Sequence, residues 1–199
     1  MEQELLLDTN AFFNLLKMMN PDAGEDSIVA TCIDNLKSKK LVVSTITEVE
    51  IISVMGKYAR GSHGGTSKCN CLISDKGDVC QNTRYTVARK KWNKNRVKAW
   101  MQLISEIFEG KSKLLTINVE PFNTATIEEA KKVIIHALLH SFASMDAMIA
   151  ATAKLARENG RDVTVVTSDK GLKACLRAIG VPCDDYFSKN REQQSQTNS

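Results

Sequence analysis

Twice in this chain an apolar run ends at an acid and passes straight into helical spacing. Leu5-Leu6-Leu7 leads to Asp8, behind which Phe12, Phe13, Leu15 and Leu16 recur with the period of a helix. Val163-Thr164-Val165-Val166-Thr167 leads through Ser168 to Asp169, followed by Leu172, Leu176 and Ile179. Strand, acidic turn, helix is the unit from which an open parallel α/β sheet is wound, because parallel strands need a crossover and a helix usually supplies it. In such a sheet the carboxyl ends of the strands border the crevice where ligands bind, so acids there stand where chemistry occurs. The competing reading of Asp8 is a cap on the helix that follows it.

Between these two units the same logic recurs in weaker form. Ile28, Cys32, Ile33 and Leu36 predict an amphipathic helix closed by Lys37, Lys39 and Lys40, and Leu41-Val42-Val43 a second short strand. Ser44 to Ile52 opens another helix with two glutamates. Thr45 and Glu48 have the T-x-x-E spacing of a capping box, which gives Glu48 a structural task. Glu50 stands between Val49 and Ile51, where a carboxylate is costly unless it meets a cation or points into a cleft, so Glu50 is the functional candidate. Leu114-Leu115-Thr116-Ile117-Asn118 predicts a third strand, ended by Pro121, and Thr126 with Glu129 a second T-x-x-E helix start running through Ala130, Val133, Ile134, Ala137 and Leu138. His136 and His140 lack the glutamate of an H-E-x-x-H zinc motif and read as partly buried, neutral histidines. In the small-residue helix Ser144 to Ala156, Asp146 lies in the first turn, where the helix dipole favours an acid. It also shares a face with Ile149, Ala150 and Ala153, which directs it along the buried side. Val181-Pro182-Cys183 predicts a short edge strand.

Charge is unevenly divided. Residues 57 to 98 carry eleven Lys/Arg against two acids, a local +9, and leave −5 for the remainder of a chain whose net charge is +4. A basic segment on an acidic body suits an enzyme that holds a polyanion beside a carboxylate site, although a solvated loop would read the same way. Gly56 to Asn82 is glycine-rich and aperiodic, an inserted loop containing His63, Cys69, Cys71 and Cys80. Those four side chains suit zinc chemically, but Cys-x-Cys is not the usual knuckle spacing, so zinc and free thiols both remain open. Tyr85 to Phe108 returns to helical spacing and begins with the densest basic run, Arg89-Lys90-Lys91-Trp92-Asn93-Lys94-Asn95-Arg96; Trp92 there suits either base stacking or a core anchor. The six cysteines are too scattered for a disulfide framework, and no disulfide is expected. No apolar run reaches the ~20 residues of a membrane span, and Met1-Glu2-Gln3-Glu4 lacks the basic start of a secretion signal, so the expectation is a cytoplasmic protein without membrane contact. From Ser188 the sequence reads as a polar, disordered tail.

With Asp8, Glu50, Asp146 and Asp169 in view, the chain resembles the PIN-domain nucleases, and among them the VapC-type toxins of bacterial toxin-antitoxin systems. The motifs that carry the resemblance are Leu-Leu-Leu-Asp-Thr-Asn at 5 to 10, Ser44 followed by Glu50, Met-Asp-Ala-Met-Ile-Ala-Ala-Thr-Ala at 145 to 153 and Val-Val-Thr-Ser-Asp-Lys at 165 to 170. It covers roughly residues 3 to 56 and 114 to 183; residues 57 to 98 have no counterpart in the compact toxins, and Gly171 stands where some members carry a fifth acid. The resemblance implies a three-layer α/β PIN-like fold over residues 1 to 187, with a central parallel sheet of four or five strands and helices on both faces, and a tail over 188 to 199. It implies that the four acids converge on Mg²⁺ or Mn²⁺, with Asn10, Thr167 and Ser168 as polar helpers. The implied activity is metal-dependent hydrolysis of RNA phosphodiesters, in a homodimer silenced by an antitoxin protein. Elementary electrostatics agrees about the cation, because four gathered carboxylates repel and raise one another's pKa values unless a divalent ion offsets them. Arg89, Lys90 and Lys91 are the expected phosphate-holding residues. Two other classes stay in view: a non-catalytic RNA-binding or protein-interaction module on the same fold, and a structure-specific DNA nuclease.

Overall fold

The computed structural model describes residues 3–19, 36, 38–68, 83–86 and 91–187. The chain divides into two compact units, residues 1–51 with 106–199 and residues 52–105. The helix expected around Ile28 to Leu36 lies outside the described residues apart from Leu36, which is helical and buried.

The larger unit is built on strands β1 (Glu4–Leu7), β2 (Lys40–Ser44), β5 (Asn118–Glu120), β6 (Val163–Val166) and β7 (Cys183–Asp184), all parallel, in the order β5-β2-β1-β6-β7. Every residue of β1 is buried, which explains its unbroken leucine run: a central parallel strand is covered on both faces and has no reason to alternate. Leu6, Val42 and Val165 stand in register and pack with the small-residue face of α5 (Ser144–Glu158), namely Ala147, Ala150 and Ala153. The other helices are α1 (Thr9–Met19), α4 (Thr124–Val133), which tightens into a 3₁₀ turn at Ile134–Leu138, and α6 (Lys170–Ala178), while α2 (Thr45–Arg60) begins in this unit and α3 (Lys94–Phe108) ends in it. Phe12 and Phe108 meet edge to face with centroids 5.6 Å apart. The result is the three-layer α/β architecture with five strands.

Local chemistry moved several boundaries. The strand expected at 114–118 pairs only from Asn118, because β5 is an edge strand and its register, Val42 opposite Asn118, is set by the end of β2 and not by the apolar run before it. Asn123, not Thr126, caps α4, accepting from Thr126 N at 3.0 Å. Glu129 is thereby released to ion-pair with Lys132 and Lys154. The cap of α2 is Ser44, whose Oγ accepts from Ile46 N at 3.3 Å, while Thr45 donates its hydroxyl to the Glu120 carbonyl.

Glu4 begins β1 and is buried against Lys40, its register partner in β2, at 2.8 Å and Arg161 at 2.5 Å. Arg161 first, and Lys40 after it, hold the Glu4 carboxyl below the usual carboxylate range. A depressed carboxylate contributes stability above its unfolded-state pKa and loses it as pH falls through the folded-state value. Glu4→Gln should therefore cost about 2 kcal/mol at pH 7, the scale of a lost charge-assisted pair. The stabilities of variant and parent from urea unfolding should converge as pH falls below the ordinary carboxylate range, and parallel pH profiles would show that Glu4 is not the titrating group.

In the smaller unit, β3 (Gly65–Lys68) and β4 (Thr83–Thr86) form an antiparallel pair inside the segment expected to be loop. Of the stretch with helical spacing from Tyr85 onward, Tyr85 itself is in β4, and among the described residues the helix starts at Lys94, where Asn93 caps α3 by accepting from Arg96 N at 2.8 Å. Trp92 stacks at 4.6 Å on Tyr58 and 5.0 Å on Trp100, with the Arg96 guanidinium 4.4 Å from its centroid. Its ring is thus a half-buried member of an aromatic cluster seated on the buried Trp100. Gly61 has φ +67 and a Cβ there would lie 3.0 Å from Lys91 backbone, so the turn that brings Lys91 to the end of α2 requires glycine. Lys91 is exposed, whereas Arg89 and Lys90 lie outside the described residues, as do Cys69, Cys71 and Cys80; His63 is exposed.

Candidate active site

From β1 the chain runs outward through β2 to β5 on one side, then returns to β6 and β7 on the other. The order reverses between β1 and β6, and in open α/β sheets the crevice at such a reversal, outside the strands' carboxyl ends, is where ligands bind. Asp8 follows β1 and Thr167-Ser168-Asp169 follows β6, so both strand-acid-helix units open onto that crevice.

Asp8 is 3% exposed. Its backbone N–H donates to the Val166 carbonyl at 3.1 Å, its Oδ1 accepts from Ala11 N at 2.6 Å, and its Oδ2 accepts from the Thr167 hydroxyl at 2.5 Å. It is both cap and crevice acid, so the two sequence readings were not exclusive. Burial pushes its carboxyl up to about 6; the hydrogen bonds from Thr167 and Ala11 oppose the shift, and the charges of Asp146 and Asp169 add to it. Asp146 is half-buried and accepts from Ala143 N at 2.9 Å. Burial raises its pKa, with Asp169 and Glu50 adding by charge repulsion. Asp169 caps α6, accepting from Leu172 N at 2.8 Å. Glu50 accepts a hydrogen bond from the Thr9 hydroxyl. Electrostatic reach thus links all four acids, through Asp8 to Asp146 and Asp169 and through Asp146 to Glu50.

Asn10, in the first turn of α1, is exposed. Ser168 donates to Asp185 at 3.0 Å, and Lys173 ion-pairs with the same carboxylate at 2.8 Å. Two partners of site residues escaped the sequence reading. Thr9 looks like any first residue of a helix, and Asp185 like the polar stretch beyond an edge strand; only their contacts distinguish them. Gly171 is informative in the opposite sense. A Cβ there would lie 1.8 Å from the Ser141 carbonyl oxygen and 3.2 Å from Asp169 Oδ1, so a fifth acid at this position has no room.

Among the described residues, no three His, Cys, Asp or Glu side chains converge as a ready-made metal set. The donor chemistry nonetheless suits a hard divalent cation: oxygen ligands only, two of them with carboxyl pKa values raised by burial and mutual repulsion. Asp146 and Asp169 each have one oxygen fixed by a local backbone hydrogen bond, Glu50 has one fixed by the Thr9 hydroxyl, and in each the second oxygen lies outside that bond. Asp8, Asp146, Asp169 and Glu50 would be the holders.

The model of the PIN domain family matches residues 5–175. No curated protein matches the sequence. Among solved structures the chain is similar to the crystal structure of FitAcB from Neisseria gonorrhoeae, with a TM-score of 0.53, 18% identity, and coverage of 92% of this chain and 98% of that one. At that identity the likeness is one of fold. No helix among the described residues is long and apolar enough to cross a membrane.

Proposed function

This chain belongs to the PIN-domain family, and from that premise we propose that it is an endoribonuclease dependent on Mg²⁺ or Mn²⁺, with Asp8, Glu50, Asp146 and Asp169 as its catalytic and metal-holding residues. PIN domains are generally nucleases. The observation that supports the finer reading most is the buried Asp8 at the sheet's reversal, its carboxyl raised toward 6 and coupled to two further acids. Such a group is costly to ionise alone and becomes affordable beside a cation.

A divalent ion held there supplies charge to offset the scissile phosphate and lowers the pKa of an attacking water. Thr167 and Ala11 N fix both oxygens of Asp8, and Ala143 N and Leu172 N fix one oxygen each of Asp146 and Asp169. These bonds hold the carboxylates in place for an in-line displacement. Thr167 acts by orienting Asp8; Ser168, engaged by Asp185, orients the turn that carries Asp169; exposed Asn10 is available to substrate. In this reading the protein is a cytoplasmic homodimer and the toxin of a toxin-antitoxin pair, its acidic crevice blocked by a basic antitoxin segment. Light scattering that gives a monomer at micromolar concentration would remove the dimer.

The direct test is incubation with defined RNAs and DNAs in Mg²⁺, Mn²⁺ or EDTA. RNA cut only with a divalent ion is the expected result; cleavage in EDTA would end the metal reading, and cleavage of DNA alone the RNA reading. Glu50→Gln should reduce cleavage far more than Glu48→Gln. Since Ser44 caps α2, Glu48→Gln should change stability by no more than about 0.5 kcal/mol, as at an ordinary surface position.

An acidic crevice repels the phosphate chain it must cut, and residues 57 to 98 hold the large reserve of positive charge. Arg89, Lys90 and Lys91 are proposed to hold RNA phosphates. Each contact contributes a salt slope of roughly −0.7 on single strands, so changing all three to Ala should flatten the slope by about two and leave the rate at saturating RNA unchanged. Unchanged affinity with an unchanged slope would assign this segment to another partner.

A further inference from the structure

The geometry points to Thr9 as a positioning residue that sets the direction of Glu50 in the crevice, through the hydrogen bond its hydroxyl donates to Glu50 Oε2. The inference rests on the proposed four-acid site and adds a residue to its supporting shell.

Thr9 and Glu50 are 41 residues apart in sequence; Thr9 is the first residue of α1 and Glu50 lies in the second turn of α2. Those helices leave neighbouring parallel strands in register, Leu7 opposite Val43, so α1 and the start of α2 rise side by side from the same end of the sheet. Thr9 is the first residue of α1, and the residue four before it, Leu5, is in β1, so no helical carbonyl is set to receive its hydroxyl. Thr152, inside α5, shows the usual alternative, donating to Met148 O at 2.8 Å. Thr9 is 8% exposed, and a buried hydroxyl needs a partner; Glu50 is that partner. A half-exposed glutamate with three rotatable bonds would otherwise sample several directions. The bond engages Oε2 and leaves Oε1 outside it, and Asp146 feels the charge of Glu50. Residues that orient metal-holding side chains govern affinity almost as strongly as the ligands themselves.

Thr9→Val keeps the branched shape and removes the donor, while Thr9→Ser keeps the donor. Calorimetric titration of the metal-free proteins with Mn²⁺ should give binding about 10 to 100-fold weaker for Thr9→Val and close to wild type for Thr9→Ser. Metal-free melting of Thr9→Val should move by no more than about 4 °C. In a Glu50→Gln background, Thr9→Val should have no further effect on Mn²⁺ affinity, because the coupled partner has already lost its charge. Wild-type affinity in Thr9→Val, loss in Thr9→Ser as large as in Thr9→Val, or undiminished loss in the Glu50→Gln background would each overturn the proposal. A larger fall in metal-free melting would assign Thr9 to the fold and overturn it as well. The functional reading is judged separately: a wild-type chain that binds Mn²⁺ but cuts no RNA ends the ribonuclease reading while the affinity comparison still decides Thr9. One that neither binds nor cuts ends both.

Discussion

Asp8→Asn is expected to lower RNA cleavage by at least about 10³-fold, the cost of losing a preorganised charge at a reacting centre, while making the metal-free protein more stable. The two effects have one cause. Asp8 is buried, and its carboxyl stands near 6 instead of its ordinary 3.8. A carboxylate whose pKa rises on folding opposes folding once the pH exceeds its unfolded value, and the penalty is full only above the folded value. Asn carries no charge to desolvate, but its single carbonyl oxygen cannot replace both acceptors now used by Ala11 N and Thr167. The net gain should be about 1–2 kcal/mol at pH 7 in EDTA, shrinking as pH falls from 6 toward 4. Asp146→Asn should abolish cleavage equally and stabilise less, since Asp146 is only half-buried. Urea unfolding in EDTA at both pH values, with a cleavage assay beside it, measures all of this. Cleavage retained in both variants would sink the four-acid site.

Gly171→Ala should cost about 3 kcal/mol or more and lower cleavage at the same time, at the upper end of what inserting one carbon into packed structure does. The added Cβ would fall 1.8 Å from a backbone carbonyl oxygen, that of Ser141, and no rotamer change can relieve a clash with backbone. Either the first turn of α6 or the segment before α5 must retreat. The first carries Asp169 as its cap, and the second carries Ala143, whose N–H holds Asp146. Movement of either separates two acids of the site. Gly65→Ala is the contrast, because a Cβ there meets nothing within 4 Å, and it should change stability by about 0.5 kcal/mol at most. Thermal melting of the two variants, with cleavage measured below both transitions, tests the comparison. A Gly171→Ala protein as stable and active as its parent would show that the close approach to Ser141 is not required.

The two strand-acid-helix units were legible because burial on both faces of a parallel sheet leaves continuous apolar runs, and an acid ending such a run is conspicuous. Glu50 was preferred to Glu48 for its apolar neighbours, and Asp146 was singled out by the small residues on its helix face; in the structure Glu50 meets Thr9, and Asp146 feels the charges of Asp169 and Glu50. Caps were less legible. Thr45 and Thr126 have the right spacing, yet Ser44 and Asn123 take the role, because four polar residues near a helix start can all compete and backbone direction chooses among them. The Tyr85 to Phe108 pattern failed for a related reason. Its first part holds a strand residue, and Trp92 packs on Tyr58 as well as on Trp100; Tyr58 lies 34 residues earlier, outside any local window.

By itself the sequence determined the layer architecture and nominated the acids, since hydrophobic period and strand-end polarity are properties of short stretches and survive without knowledge of neighbours. Tertiary structure alone decided how those acids are held. That Thr167 reaches Asp8 across 159 residues, Thr9 reaches Glu50 across 41, and Gly171 must be bare against Ser141 are facts of register between elements distant in sequence. Register follows from the whole sheet closing around one core, so no single segment encodes it.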